Sequence, residues 1–383
     1  MTLGTQHAVL ADTVFDGESC HRDCAAVIEG AQISRIVPRR DLPTQISMVN
    51  LPAGKWLAPG FIDCQVNGGG DVLFNDSPSV ESIEAIACAH RRFGTTSLLP
   101  TLITSPVETM HAALGAAEEA ALQNPSILGI HLEGPFLSPE KPGVHDPALM
   151  RAPTPEDANF LCGPRKGVTL VTLAPERMPH GFISKITAAG VRVCLGHSMA
   201  TYEETKAALA EGLAGFTHLF NAMRQLSGRD PGPIAAALET PGAWFGMIVD
   251  GKHVDPAMLR LALRGLAHPM LVTDGMPPVG GKKPSFVLNG EKINVRDGLC
   301  ARADGTLAGA ALDMASAVRN CVTLLGTPLT QALRYASLEP ARFLGLGGKL
   351  GRLKPGYRAD MTAFDPDSMH IHETWVAGSP SSA

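Results

Sequence analysis

Eight short apolar runs recur through the middle of the chain, and segments of helical periodicity separate several of them. The runs are FIDCQ at 61–65, TTSLLPT at 95–101, ILGIHLE at 127–133, VTLVTLA at 168–174, RVCLGH at 192–197, GFTHLF at 215–220, WFGMIVD at 244–250 and MLVTD at 270–274. Between them lie stretches such as SVESIEAIACAHRRFG, SKITAAG, TYEETKAALAEG and DPAMLRLALRG, whose composition and spacing fit helices. Apolar strands joined by helical crossovers imply a parallel sheet, and eight of them predict an α/β protein built on a closed (β/α)8 TIM-like barrel. The alternative, an open doubly wound sheet, calls for a GxGxxG phosphate turn opening a helix, which the chain lacks.

The two ends have a different character. AVLADTVFDG and CAAVIEGAQISRIV near the start, and LKPGYRADMTAFDPD with MHIHETWVAG near the finish, read as short strands and turns. The ends are expected to pair into one small β-sandwich, residues 1–58 with 350–383, beside a barrel spanning 59–349. After the eighth run, SFVLNGEKINVRDGLCARADGTLAG reads as a β-hairpin insertion near 285–306 that folds over the barrel mouth. ALDMASAVRNCVTLLG and LTQALRYASLEPARFLG read as helices that cover the barrel.

With 383 residues and 45% hydrophobic content the chain can bury a sizeable core, which excludes general disorder. A net charge of −5 without a basic cluster offers nothing to nucleic acid or to an anionic membrane surface. MTLGTQHAVLADTVF lacks a basic segment followed by an apolar core, and no 18-residue apolar run occurs, so a cytoplasmic protein is expected. The eight cysteines are scattered as buried thiols of a reducing compartment would be. Cys20 and Cys24 stand three residues apart around His21, Arg22 and Asp23 and have no matching second pair, so they make no metal knuckle.

Several runs end on a residue that can do chemistry: Glu133 in HLEGPF, His197 in GHS, His218 in THLFNAM and Asp274 in VTDG. Barrel active sites lie at the C-terminal strand ends, so the four are expected to converge. Taken singly, a strand-end Glu caps a loop and a lone His in an apolar run is a core residue. Taken together they have the composition of a metal-dependent hydrolase site. A catalytic divalent ion takes about three protein ligands and keeps one position for water, whose pKa it lowers to roughly 7. Glu133, His197 and His218 are the candidate ligands. Asp274, with Gly275 behind it, is the candidate general base that moves a proton from water to a leaving nitrogen, worth roughly 10²- to 10⁴-fold in rate.

His145 lies in the turn-rich loop KPGVHDPALMR just beyond Glu133 and is the candidate to reach a substrate carbonyl. Asn221, Ala222 and Arg229 follow the sixth run, with Gly228, Pro231 and Gly232 marking a tight loop. Backbone N–H groups and a guanidinium are the expected partners of a phosphate, a solvated surface charge being the plain alternative for Arg229. His253, after Asp250-Gly251-Lys252, follows the end of the seventh run and points to the same mouth.

In order, LAPGFIDCQVNGGG, HLEGPF, the KPGVHDP loop, TLAPE, GHS, THLFNAM, GRDPG, DGKHV, VTDG, LAGA and GRLKPGYRAD resemble the N-acetylglucosamine-6-phosphate deacetylases of the amidohydrolase superfamily across nearly the whole chain. The resemblance implies hydrolysis of the acetamide of N-acetyl-D-glucosamine 6-phosphate to D-glucosamine 6-phosphate and acetate. It implies Glu133, His197 and His218 as metal ligands, Asp274 as the catalytic acid/base and His145 as the residue that polarises the acetyl carbonyl. Asn221, Ala222, Arg229 and His253 match sugar-phosphate contacts, and Leu307, Ala308 and Gly309 match a segment lining the substrate pocket. A homodimer is implied too, with Arg229 reaching the phosphate in the partner's site.

One departure from the wider superfamily bears on the metal. Many amidohydrolases carry His-x-His after the first strand, building a second metal position, whereas this chain has Gln65-Val66-Asn67. Neutral amides are poor zinc ligands, so one divalent ion per subunit is expected, zinc first, with iron, manganese or cobalt acceptable to the same N/O donors. Two rival readings stay open. The same site can serve N-acetylgalactosamine 6-phosphate or another acylated amine, since sugar epimers differ by one hydroxyl. A barrel can also be a non-catalytic scaffold or a sugar-phosphate sensor.

Overall fold

The computed structural model describes residues 6–380; residues 1–5 and 381–383, the outermost part of the expected terminal domain, lie outside the described residues. Eight parallel strands form the central sheet: β1 (Phe61–Val66), β2 (Thr95–Ile103), β3 (Gly129–Glu133), β4 (Val168–Leu173), β5 (Arg192–Leu195), β6 (Gly215–Phe216), β7 (Trp244–Met247) and β8 (His268–Leu271). They pair in chain order from β1 to β8. A parallel bridge from Val66 to Gly275, beyond the end of β8, closes the ring. The amides of Asn67 and Gly68 both donate to the Gly275 carbonyl there, at 2.9 and 2.8 Å. Every residue of β1, β2 and β3 is buried, as barrel strands are when helices cover one face and packed side chains the other.

The crossover helices start where a short polar side chain can take over an unsatisfied amide. Ser79, Thr154, Thr201, Asp255 and Asp313 each accept from a backbone N–H in the first turn of the helix that follows. Thr201 and Glu204 form a reciprocal capping box, which accounts for the sharp start of helix Tyr202–Ala210. LTQALRYASLEPARFLG is two helices, Leu329–Ala336 and Leu338–Phe343, with Ser337 outside helical geometry between them. Pro340 supplies the reason, because it has no N–H for the Ala336 carbonyl and its ring would press on that group.

Both chain ends enter one eight-stranded sheet, with Trp56–Pro59 joining the halves: it runs parallel to Gln6–Phe15 and antiparallel to Met361–Phe364. Ile33 and Trp375, from distant strands of that sheet, share one apolar core with Val9, Ile28, Leu57 and Met361. The sheet therefore folds over its own core as a sandwich does. Arg358 ties it to the barrel by donating to Ser97 Oγ on β2 and to the Pro125 carbonyl, both at 2.6 Å.

The segment expected as one hairpin is a four-stranded antiparallel sheet made of Ser285–Leu288, Glu291–Arg296, Leu299–Ala301 and Leu307–Ala310. Its first two turns are Asn289-Gly290 and Asp297-Gly298, all four residues at positive φ, the two-residue loops that match strand twist. Leu288, Ile293, Cys300 and Ala308 pack with Leu73, Ile103, Val144 and Met276, which seats this sheet on the barrel mouth.

Close approach of β3 to β4 depends on one glycine. A Cβ at Gly129 (φ +146°) would lie 1.9 Å from the Val168 carbonyl oxygen, a backbone atom that cannot swing away. Gly129→Ala is expected to destabilise the protein by about 3 kcal/mol or more in urea unfolding. An unchanged midpoint would show that the strands separate without cost.

Candidate metal and substrate site

Glu133 is the last residue of β3, while His197, His218 and Asp274 follow the ends of β5, β6 and β8. The backbone of His197, His218 and Asp274 is left-handed, at φ +48°, +30° and +50°, a conformation that non-glycine residues hold only when their surroundings impose it. These turns bring the side chains together. Glu133 Oε1 lies 3.1 Å from His197 Nε2 and 3.0 Å from His218 Nε2, and the two Nε2 atoms are 3.2 Å apart.

That triangle suits a cation. Ligands bonded at about 2.0–2.1 Å in a tetrahedral arrangement stand about 3.3 Å from one another. The nitrogen chemistry agrees. His197 Nδ1 lies 2.8 Å from the Lys141 carbonyl, which only accepts, so the neutral imidazole carries its proton there and presents a lone pair from Nε2. Among the described residues Glu133, His197 and His218 make the one group able to hold a metal ion.

The electrostatics call for the same charge. Burial works against an ionised Glu133, yet the two imidazoles outweigh it and hold the carboxyl well below the usual range. Burial also opposes a protonated His218, and the Glu133 carboxylate overcomes it, raising the imidazole above its ordinary value. Asp274 is raised by burial first and then by the charge of Glu133, so it holds a proton more readily than an ordinary aspartate. His145 is pushed well below the imidazole range by burial and then by His197.

Gln65 and Asn67 direct their amides away from ligation. Gln65 Nε2 donates to Glu133 Oε2 at 3.2 Å and to Asp274 Oδ1 at 3.1 Å, and Asn67 Nδ2 donates to Asp274 Oδ1 at 2.6 Å. The pair thus links the two carboxylates through N–H groups. Asp63, two residues earlier, accepts from Thr273 Oγ1 at 2.5 Å and from the amides of Gln65 and Thr273, fixing the residue next to Asp274.

A cavity of about 360 Å³ opens above this group, within the range of small-molecule sites. His145, Asn221, Ala222, His253, Leu307 and Gly309 line it. Ala308 alternates to the other face of its strand and is buried in the core of the four-stranded sheet. Arg229 is exposed and does not line the cavity of its own chain. His253 Nδ1 pairs with Asp250 Oδ2 at 2.7 Å; burial raises that carboxyl, and His253 more than offsets it, leaving it below its usual range. Sequence reasoning passes over Asp250, Thr104 and the Lys141 carbonyl. Only Asp250 leaves a readable signal, the Asp-Gly-Lys-His turn; the other two act across long sequence separations.

With this geometry established, comparison with known proteins is decisive for the family. The sequence pattern of the amidohydrolase family matches residues 56–382. The chain belongs to the amidohydrolase family. Within it, a protein of Shewanella sp. (strain ANA-3) named N-acetylgalactosamine-6-phosphate deacetylase is 42% identical, covering 84% of this chain and 82% of the relative. An N-acetylglucosamine-6-phosphate deacetylase of Haemophilus influenzae is 36% identical over 94% of this chain and 96% of its own. The crystal structure of N-acetylglucosamine-6-phosphate deacetylase from Pasteurella multocida superposes with a TM-score of 0.95 at 38% identity, covering 99% of this chain and 100% of that one.

Asp63 makes the stability of this amidohydrolase depend on pH. Burial pushes its carboxyl from 3.8 up to about 7, against the opposing hydrogen bonds of Thr273 and Gln65. Because the folded value lies above the unfolded one, ionisation disfavours the fold. The penalty is absent below about pH 4, grows as pH rises and is complete above about pH 7. The stability of Asp63→Asn relative to the parent should therefore climb by a few kcal/mol across that window, at about 1.4 kcal/mol for each pH unit. Urea unfolding at stepped pH tests this, and a flat difference would reject it.

Proposed function

We propose that the chain hydrolyses the acetamide of N-acetyl-D-glucosamine 6-phosphate, releasing D-glucosamine 6-phosphate and acetate. The observation that carries this reading is the convergence of Glu133, His197 and His218 beside Asp274 under a cavity at the barrel mouth. Relatives named for deacetylating phosphorylated amino sugars, aligned along most of the chain, support the substrate class.

Glu133, His197 and His218 would hold one divalent ion, which we assign as zinc, the same donors accepting iron, manganese or cobalt. When bound, the ion supplies Lewis acidity and lowers the pKa of water at the site. Asp274 removes a proton from the water that attacks the acetyl carbon, then delivers it to the nitrogen as the C–N bond breaks. Gln65 and Asn67 hold Asp274 Oδ1, directing its other oxygen to this transfer. His145 donates a hydrogen bond to the carbonyl oxygen as negative charge builds there. Asn221, Ala222 and His253 take the sugar phosphate, with Leu307 and Gly309 along the pocket and Ala308 anchoring that strand in the core behind them.

The position of Arg229, outside its own cavity lining, supports the reading that it serves the phosphate held by a second copy in a homodimer. We place the enzyme in the cytoplasm: no helix among the described residues is long and apolar enough to cross a membrane, and the cysteines are free thiols. The Shewanella relative favours a second reading, the galactosamine epimer as substrate.

Acetate release from both sugar phosphates and from their unphosphorylated forms separates these readings. The glucosamine epimer with phosphate is expected to give the highest kcat/KM. Asp274→Asn should lower turnover by about 10³-fold or more while the purified variant keeps its metal. Near-normal activity in that variant would remove Asp274 from the proton transfer.

A further inference from the structure

His145 and His197 are neighbours, their rings 4.3 Å apart, and both are buried at the floor of the cavity. The main chain meets their Nδ1 atoms with groups of opposite polarity. His197 Nδ1 faces the Lys141 carbonyl, which only accepts, so Nδ1 is protonated and Nε2 offers a lone pair. His145 Nδ1 faces Thr104, the residue after β2, whose backbone N–H donates to it at 3.3 Å and whose hydroxyl lies 2.8 Å away.

A backbone N–H can only donate. His145 Nδ1 must therefore present its lone pair to Thr104, and the ring proton sits on Nε2. The hydroxyl can donate or accept, and beside that N–H it acts as a second donor to the same nitrogen. Room for it is provided by the residue after Glu133, since a Cβ at Gly134 would lie 2.2 Å from Thr104 Oγ1. Thr104 is itself buried, which shields this contact from competing water.

We propose that Thr104 is a positioning residue that fixes His145 as the Nε2–H tautomer, so that His145 meets the acyl oxygen as a hydrogen-bond donor. The identity of that oxygen rests on the deacetylase reading; the tautomer does not. One main-chain carbonyl thus prepares His197 to bind a cation, while one main-chain N–H prepares the adjacent His145 to bind an anion.

The test uses zinc-loaded protein with nitrogen-15 histidine. The ring signals of His145, assigned by their loss in His145→Asn, report which nitrogen carries the proton. The parent and Thr104→Ser should show the Nε2–H pattern, and Thr104→Val, which keeps the backbone N–H but loses the closer hydroxyl donor, should keep Nε2–H as the main form with a measurable Nδ1–H fraction that the parent lacks. In kinetics Thr104→Val should lose roughly tenfold in kcat with little change in KM, and Thr104→Ser should recover it. The loss should shrink on an N-trifluoroacetyl analogue, whose carbonyl needs less polarisation.

An Nδ1–H pattern in the parent would overturn the proposal. An equal loss on both acyl groups with an unchanged ring pattern would also overturn it, as would failure of serine to restore kcat. A parent that shows the Nε2–H pattern but releases no acetate from either sugar phosphate would sink the deacetylase reading and leave the tautomer assignment standing.

Discussion

A buried carboxylate facing two imidazoles is the constraint around which the rest of the barrel mouth is arranged. Glu133, His197 and His218 are each almost fully buried, and their ligand atoms crowd within about one hydrogen-bond length of one another. Converging acceptors in a low-dielectric interior repel unless a positive charge sits among them, so the group is stable only with a proton or a cation. The acidities of the groups express this demand: Glu133 is driven down and His218 up, each against the effect of its own burial. A divalent ion meets the demand more completely than a proton, because all three atoms can point lone pairs at it.

Holding such a group requires strain and polar support. Three of the site residues stand at positive φ, as do Phe220 and Ala222 in the loop beyond His218. Beneath them the barrel interior carries a polar chain in place of aliphatic packing: Thr101 contacts His131 Nδ1, His131 Nε2 lies 2.7 Å from Thr172 Oγ1, and Thr172 lies 2.6 Å from Thr217 Oγ1. This chain ends at the residue before His218. Buried polar groups so satisfied resist rearrangement, because moving one leaves its neighbour unpartnered. The amides of Gln65 and Asn67 extend the same logic to Asp274, replacing a charged bridge between carboxylates with N–H donors.

Much of the architecture is legible from the chain. Eight apolar runs become eight parallel strands, and the ends pair into one sheet, because hydrophobic runs of that length with helical spacers have few ways to hide from water. The four-stranded sheet over the mouth reads in the sequence as a single hairpin. Its Asn289-Gly290 and Asp297-Gly298 turns each add a strand, and the last strand, Leu307–Ala310, pairs back on Leu299–Ala301 with a shifted register across the longer turn that follows Ala301. Glu133, His197, His218 and Asp274 stand out because strand ends are where barrels place chemistry. Ala308 groups with Leu307 and Gly309 along the sequence, and strand alternation turns its side chain into the core instead.

By itself the sequence determined which residue types stand at the strand ends and that amides occupy the positions where a second metal would need imidazoles. Tertiary structure alone decided the polarity of each nitrogen. Which nitrogen of an imidazole carries the proton depends on what Nδ1 touches, the Lys141 carbonyl for His197 and the Thr104 amide for His145. These contacts join residues 56 and 41 positions apart along the chain. No local pattern of side chains encodes them, because the Lys141 carbonyl and the Thr104 N–H are main-chain groups and the Thr104 hydroxyl is remote in sequence, and only the closed barrel puts them in reach.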